Sequence, residues 1–151
     1  MALRGARDRA GERGQALIEA MFVIPFVLVL ILLILDFGIA LDRREVMIHA
    51  VREGARAAAN GDSVAEVKQV AKDQSEGNLR LDDVSVCYRD DNLNGYLGDV
   101  NDSVEVTVNH TYNMLVGGIS WIGVPTQLDI SPTAKAPLLN PVTGATACLP
   151  P

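Results

Sequence analysis

An uncharged run of sixteen residues, from Ala20 to Leu35, constrains the fold of this chain more than any other feature. The apolar character resumes after Asp36 and continues to Leu41. As a helix rising about 1.5 Å per residue, residues 16–41 extend roughly 39 Å, enough to cross a hydrocarbon core about 30 Å thick with some tilt. A buried core helix is the alternative, but the 110 residues after Leu41 are too few to enclose it. The run therefore predicts one transmembrane helix, over residues 15–41.

A carboxylate lies just inside this span, at Glu19, where a charge is costly and indicates a function. Gly14 precedes it, separated by four residues, and four arginines precede the glycine. A basic leader, a glycine, four residues, a glutamate and an apolar helix resemble the class III signal of type IV pilin-like proteins. The resemblance implies that a prepilin peptidase cuts after Gly14 and that Gln15 becomes the new N-terminus. Its ammonium group would then be a natural partner for Glu19 of a neighbouring subunit when helices bundle. The alternative is a glutamate at the membrane surface whose carboxylate reaches water.

After Leu41 the sequence changes from apolar all round to amphipathic. Asn60-Gly61 predicts the end of the helix. We therefore expect one helix from about Leu17 to Asn60, in which residues 42–61 continue beyond the membrane. Four apolar residues recur at helical spacings and predict its buried face: Ile39, Val46, Ala50 and Ala57.

Three further segments, Pro25, Asp36-Phe37-Gly38 and residues 50–59, extend the resemblance. Together with Gly14–Glu19 they are similar to the TadE-like family over about residues 12–60. The resemblance implies a minor pilin-like (pseudopilin) subunit of the tight-adherence, or Flp pilus, apparatus, acting in pilus assembly, adhesion and secretion. It assigns Glu19 and Pro25 to the assembly helix. The implied partners are a prepilin peptidase, other pilins and pilin-like subunits, and an inner-membrane assembly platform.

Charge is distributed unevenly along the chain. Residues 1–14 carry four basic and two acidic side chains, whereas residues 42–151 carry nine basic and fifteen acidic ones. Because positive flanks stay in the cytoplasm, we expect the leader, residues 1–14, inside the bacterial cytoplasmic membrane and the head outside. The acidic exterior argues against nucleic-acid binding, which needs clustered Lys and Arg. A secretory signal cleaved after Gly38-Ile39-Ala40 is the alternative, and it would release a soluble domain.

Residues 62–136 predict a small α+β head, in which a short helix packs on an antiparallel sheet. Ser63 and Glu66 form a capping box, which starts a helix over about residues 64–76. Residues 104–112 alternate cleanly between apolar and polar and give the strongest predicted strand. Other extended segments are expected at residues 84–88 and 127–136, and a Pro-rich, irregular tail at residues 137–151.

The stretch after the first head strand matches the opening of a calcium loop. Oxygen-bearing residues at alternate positions with a glycine at the sixth suit a hard cation. The twelfth position is Asn101 instead of the bidentate glutamate of a full EF-hand, and a polar turn rich in Asp, Asn and Gly is the alternative. The candidate ligands are Asp90, Asn92, Asn94, the carbonyl of Tyr96, Asp99 and Asp102.

Cys87 and Cys148 are the two cysteines of the chain. In an oxidising exterior an even pair predicts one disulfide, which would tie the tail to the sheet. Two free thiols are the alternative if the head stayed in the cytoplasm. We find no nucleophile–base pair around either histidine, so the sequence predicts a structural protein and not an enzyme. An extracytoplasmic calcium-binding module, anchored or secreted and without a pilus role, is the alternative function.

Overall fold

The computed structural model describes residues 4–117 and 123–149, with side chains from Gly14 onward. The first three residues of the predicted leader and the last two of the predicted tail lie outside the described residues. The chain divides into two compact units, Met1–Gly38 and Ile39–Pro151. Its elements are α1 (Arg4–Ala59), α2 (Val64–Asp73), a 3-10 helix (Leu81–Asp83), β1 (Val84–Arg89), β2 (Ser103–Val108), β3 (His110–Asn113), β4 (Gln127–Ile130) and β5 (Thr133–Pro137). The predicted α+β fold, a long N-terminal helix followed by a small antiparallel head, is confirmed.

Helix α1 begins at Arg4, earlier than the Leu17 predicted from the apolar pattern, and it continues through Pro25. The predicted end is confirmed: Gly61 has φ +94°, and the Asp62 and Gly61 amides donate to the carbonyls of Ala57 and Ala58. This Schellman arrangement needs a residue without a β-carbon at the left-handed position.

The face of α1 that packs in the second unit differs partly from the predicted one. Ala50 is buried as expected, but Ile39 is 40% exposed and Val46 only half-buried. Ala40 and Met47, each one residue further along, are buried instead. The prediction placed the larger Ile39 on the buried face, whereas the structure buries the smaller Ala40 and leaves Ile39 exposed.

Helix α2 begins with the predicted capping box. The Ser63 backbone N–H donates to the Glu66 carboxylate at 2.9 Å, and the Glu66 N–H donates to the Ser63 hydroxyl. Hydrogen bonds from the Ser63 side chain and backbone hold the pKa of Glu66 below its ordinary value. The helix ends at Asp73, three residues earlier than predicted. The Ser75 hydroxyl donates to the Lys72 carbonyl and so competes with the helical hydrogen-bond pattern.

A three-stranded antiparallel sheet, in the order β1-β2-β5, forms the larger sheet of the head. The register pairs Val84 with Val108 on one side of β2 and Ser103 with Pro137 on the other. One face of β2 is buried against the helices. The buried core contains Met47, Ala50, Val51, Ala55, Ala57, Ala58, Val67, Ala71, Leu79, Val84, Tyr88, Val104, Val106, Val108, Ile130, Leu138 and Val142.

Two predicted single strands are each divided between two sheets. Residues 104–112 break at Asn109, whose N–H donates to the Asp83 carbonyl. Residues 127–136 break before Pro132, which has no N–H to continue a ladder. Strand β3 follows the break at Asn109, and strand β4 precedes the break at Pro132. These two strands pair with one another as a separate two-stranded antiparallel sheet. Alternation alone did not show these breaks, because the residues on both sides of each break suit strands.

Gly54 lies where α1 approaches the rest of the core most closely. A β-carbon added there would meet Ala71 Cβ and Val106 Cγ1 at 3.4 Å each. The structure shows that it lets α1 pack against both α2 and β2.

Candidate membrane and assembly site

Large apolar side chains cover the surface of α1 from Leu17 to Leu41. Phe22 is 73% exposed and Phe26 70%, and the 18-residue window that is most apolar contributes no buried residue. Within the described residues, one helix, Gly14–Ala59, is long and apolar enough to cross a membrane by length and composition. An apolar surface of this length is expected to be covered by lipid or by other helices.

The residues of the predicted processing motif lie at the start of this surface. Gly14, Gln15 and Glu19 are helical and exposed, and a β-carbon added at Gly14 would meet nothing within 4 Å. Among the side chains described from residue 14 onward, Glu19 forms neither an ion pair nor a hydrogen bond. Within the described residues its carboxylate therefore has no compensating charge.

Asp36, at the far end of the apolar run, has a different environment. In the sequence it interrupts the apolar run of the predicted transmembrane helix. The structure buries it completely, with 0% of its surface exposed. Sequence reasoning missed this burial, although an ionisable residue interrupting an apolar run was the signal that pointed to a special environment.

The two cysteines are joined as a disulfide between β1 and the tail. The tail residues on either side of Ala147 also pair with β1: the Tyr88 N–H donates to the Thr146 carbonyl, and the Cys148 N–H donates to the Tyr88 carbonyl. This parallel bridge covers the outer edge of β1, which would otherwise present unpaired backbone groups. The tail is therefore fastened to the sheet by backbone pairing as well as by sulfur.

The loop predicted to bind calcium is organised around Asp90. Its carboxylate accepts hydrogen bonds from the backbone N–H groups of Asn94 and Gly95, the latter at 2.8 Å. The side-chain oxygen of Asn92 accepts from the Asn94 N–H, and that of Asn94 accepts from the Tyr96 N–H. These bonds satisfy the backbone amides of Asn94, Gly95 and Tyr96 in a tight turn.

The acidic candidates further along the loop have other contacts. The Asp99 carboxylate accepts from the side-chain amides of Asn92 and Asn94. Asp102 is fully buried, and one of its oxygens accepts from the Gly98 and Asp99 N–H groups. Among the described residues, Cys87, Glu105 and Cys148 bring potential metal-ligating atoms within 4.8 Å of one another. The two sulfurs of that set are bonded to each other.

Comparison with known proteins gives one match. The family model described as TadE-like protein matches residues 14–56, so the resemblance predicted from the sequence is confirmed over that segment. The matched segment contains Gly14, Glu19, Pro25 and Asp36. No curated protein matches the chain, and no solved structure matches it.

Proposed function

Because residues 14–56 form a TadE-like segment, we propose that this chain is a minor pilin-like structural subunit of a tight-adherence, or Flp, type IV pilus apparatus, and not an enzyme. One observation carries the proposal: an exposed apolar helix that begins with a carboxylate for which the described side chains offer no partner. Such a helix is suited to bundling with others of its kind in a membrane or a filament.

The first step is processing. A prepilin peptidase hydrolyses the peptide bond between Gly14 and Gln15. Water adds its hydroxyl to the Gly14 carbonyl carbon, which becomes the carboxylate of the leader, and a proton to the Gln15 nitrogen, which becomes the amine of the mature chain. The exposure of this bond and the open space around Gly14 are compatible with access by an enzyme. The product keeps the whole apolar helix and gains an ammonium group at Gln15.

The second step is assembly by helix bundling. In an apolar environment an isolated carboxylate is costly, and pairing with the ammonium of a neighbouring subunit removes much of that cost. Glu19 thus selects the axial position at which two helices meet. Pro25 lies in the same helix, and the carbonyl left free by its missing N–H is satisfied by neighbouring groups in the bundle.

We further propose that the chain crosses the bacterial cytoplasmic membrane once, with residues 1–14 inside and the head outside. The charge asymmetry supports this orientation, since the leader carries a net positive charge and the rest of the chain a net negative one. The partners in this proposal are the prepilin peptidase, other pilins and pilin-like subunits, the assembly platform and membrane lipid.

The test is the intact mass and N-terminal sequence of the full chain recovered from its native membrane. We expect a chain that begins at Gln15. A start at Leu41 would indicate ordinary secretion and overturn the bundling mechanism, and a start at Met1 would overturn processing.

Glu19→Gln tests the assembly step separately. This variant keeps the shape and removes the charge, so we expect normal membrane insertion and loss of pilus assembly. Glu53→Gln, on the exposed part of α1 in the head, is the matched control and should leave assembly unchanged. If Glu19→Gln also leaves assembly unchanged, the helix is only an anchor, as in the alternative of a calcium-binding module.

A further inference from the structure

A groove of about 250 Å³ lies in the head between α1 and β5. Alanines form much of its lining, and Leu139, 64% exposed, lies at one of its ends. The end of α1 is fixed beside β5, because the Ala59 carbonyl accepts hydrogen bonds from the Leu139 and Asn140 N–H groups. The lining residues are Arg52, Ala55, Arg56, Ala59, Ala134, Lys135, Ala136, Pro137 and Leu139.

The groove carries positive charge on both sides. Arg52 and Arg56 are exposed, lie one helical turn apart, and form no ion pair or hydrogen bond with any side chain in the described part of the head. Like charges at this spacing repel one another unless an anion lies between them. On the strand side, Lys135 forms an ion pair with Asp91 at 3.1 Å. Within the described residues, Arg52 and Arg56 therefore form no ion pair, and Glu53 is the acidic residue between them in the sequence.

The strand that borders the groove is also unpaired on its outer side. Within the described residues β5 pairs with β2, while the opposite edge of the sheet, at β1, is covered by the tail. An open edge of this kind is a template for a further extended segment. Two copies cannot simply pair their β5 edges, because Lys135, Arg52 and Arg56 of each would face those of the other.

The complementary surface is the loop of residues 90–99. Leu93 is 87% exposed and has φ +57°, a left-handed conformation that is uncommon for residues other than glycine. Tyr96, also in the loop, is 74% exposed. Asp90 and Asp99 add negative charge to the same loop, whereas Asp91 is paired with Lys135 of its own chain. An apolar tip in an acidic setting matches an apolar groove in a basic one.

We propose that this groove receives the loop of residues 90–99 from a second copy of this chain. Leu93 and Tyr96 enter the alanine-lined floor, and the loop carboxylates neutralise Arg52 and Arg56. Chains anchored in one membrane present their heads at high effective concentration, which favours a contact too weak to form between free heads. The contact goes beyond the helix bundling proposed above, since it lies wholly in the head and does not require cleavage after Gly14.

Thiol cross-linking of the full chain in lipid vesicles tests this contact. Chains that carry Leu93→Cys and a first tag are mixed with chains that carry Leu139→Cys and a second tag, and a short bismaleimide is added. The native cysteines do not react, because they are bonded to each other. Leu115→Cys replaces Leu139→Cys in the control, because Leu115 is 79% exposed but lies outside the groove.

We expect the doubly tagged product to form severalfold more with Leu139→Cys than with Leu115→Cys. Arg52→Gln with Arg56→Gln should return the yield to the control level, whereas Arg80→Gln, another exposed arginine of the head, should not. Equal yields at positions 139 and 115, or a yield that is unaffected by loss of both arginines, would overturn the proposal. In native membranes, a cross-link from position 139 to a different protein and not to a second copy would also overturn it. Circular dichroism of each variant shows that the head remains folded.

Discussion

The two units of this protein differ in how much of their apolar surface is buried within the chain. In the first, the helix from Leu17 to Gly38 exposes nearly every large apolar side chain it carries. In the second, the continuation of the same helix packs its alanines and Met47 against α2 and the larger sheet, and Val67, Val104 and Val106 are fully buried. The first unit therefore has an apolar surface that we expect lipid or other helices to cover, whereas the second supplies its own core.

This difference separates the effects expected of substitutions. Changes in the head should alter its own free energy of unfolding, and changes in the apolar helix should alter insertion or assembly while leaving the head folded. If a substitution in the apolar helix lowered the free energy of unfolding of the head, the two units would depend on one another for stability.

The largest effect on the head is expected from loss of the disulfide. Cys148→Ser opens a loop of 61 residues and should lower the free energy of unfolding by about 3–4 kcal/mol. The free energy of unfolding is measured by denaturant titration of the full chain in detergent micelles, with protease digestion of the head used to detect unfolding. Cys87→Ser should cost the same, and the double variant should cost no more, because both remove one bond. A head of unchanged stability would mean that the backbone bridge at Tyr88 and Ala147 is sufficient to hold the tail.

The corresponding change in the helix is Leu30→Arg. Leu30 is 46% exposed near the middle of the apolar run, and an arginine at the centre of a membrane helix costs about 2.5–3.5 kcal/mol on insertion scales. We expect a large loss of the membrane-integrated fraction, measured by carbonate extraction. Leu115→Arg, in the head, is the control and should leave that fraction unchanged. Equal retention of both variants would contradict a transmembrane role for the run.

The apolar helix and its signals were the most predictable part of the molecule. Long runs without charge, a glycine and glutamate at fixed spacing, and the Ser63–Glu66 capping box are local patterns whose physical causes lie in the same few residues. The alternation of residues 104–112 also predicted extended backbone correctly at most positions. What it could not give was the break at Asn109, which depends on a hydrogen bond to Asp83, far away in the sequence.

Features made by distant segments were the least predictable. The groove between α1 and β5 needs Arg52 and Ala136 to be brought together, and these residues are far apart in the sequence.

A smaller effect is expected at the start of α2. Ser63→Ala removes the N-cap hydroxyl and should destabilise the head by about 1 kcal/mol near neutral pH. The pKa of Glu66 is lowered in the folded state, mainly by its bonds to Ser63, so its contribution is present above the ordinary glutamate pKa and is lost as the pH falls through the folded value. The cost of Ser63→Ala should therefore be smaller at acid pH. Thr107→Ala, on the sheet, is a control whose cost should not follow the Glu66 titration.

The smallest effect on the stability of the head is expected from calcium at the loop of residues 90–99. If the oxygens of Asp90, Asn92 and Asn94 act as ligands, millimolar CaCl2 should raise the melting temperature of the head in the full chain, since a ligand that binds only the folded state stabilises it by mass action. Asp90→Asn would remove the rise. If the loop is a polar turn, its hydrogen bonds already satisfy the amides of Asn94, Gly95 and Tyr96, and added calcium should change nothing. MgCl2 at equal concentration controls for ionic strength, because Mg²⁺ loses its water reluctantly and fits an octahedral site poorly matched to this loop. An equal response to both ions would assign the effect to screening of the acidic head and not to a calcium site.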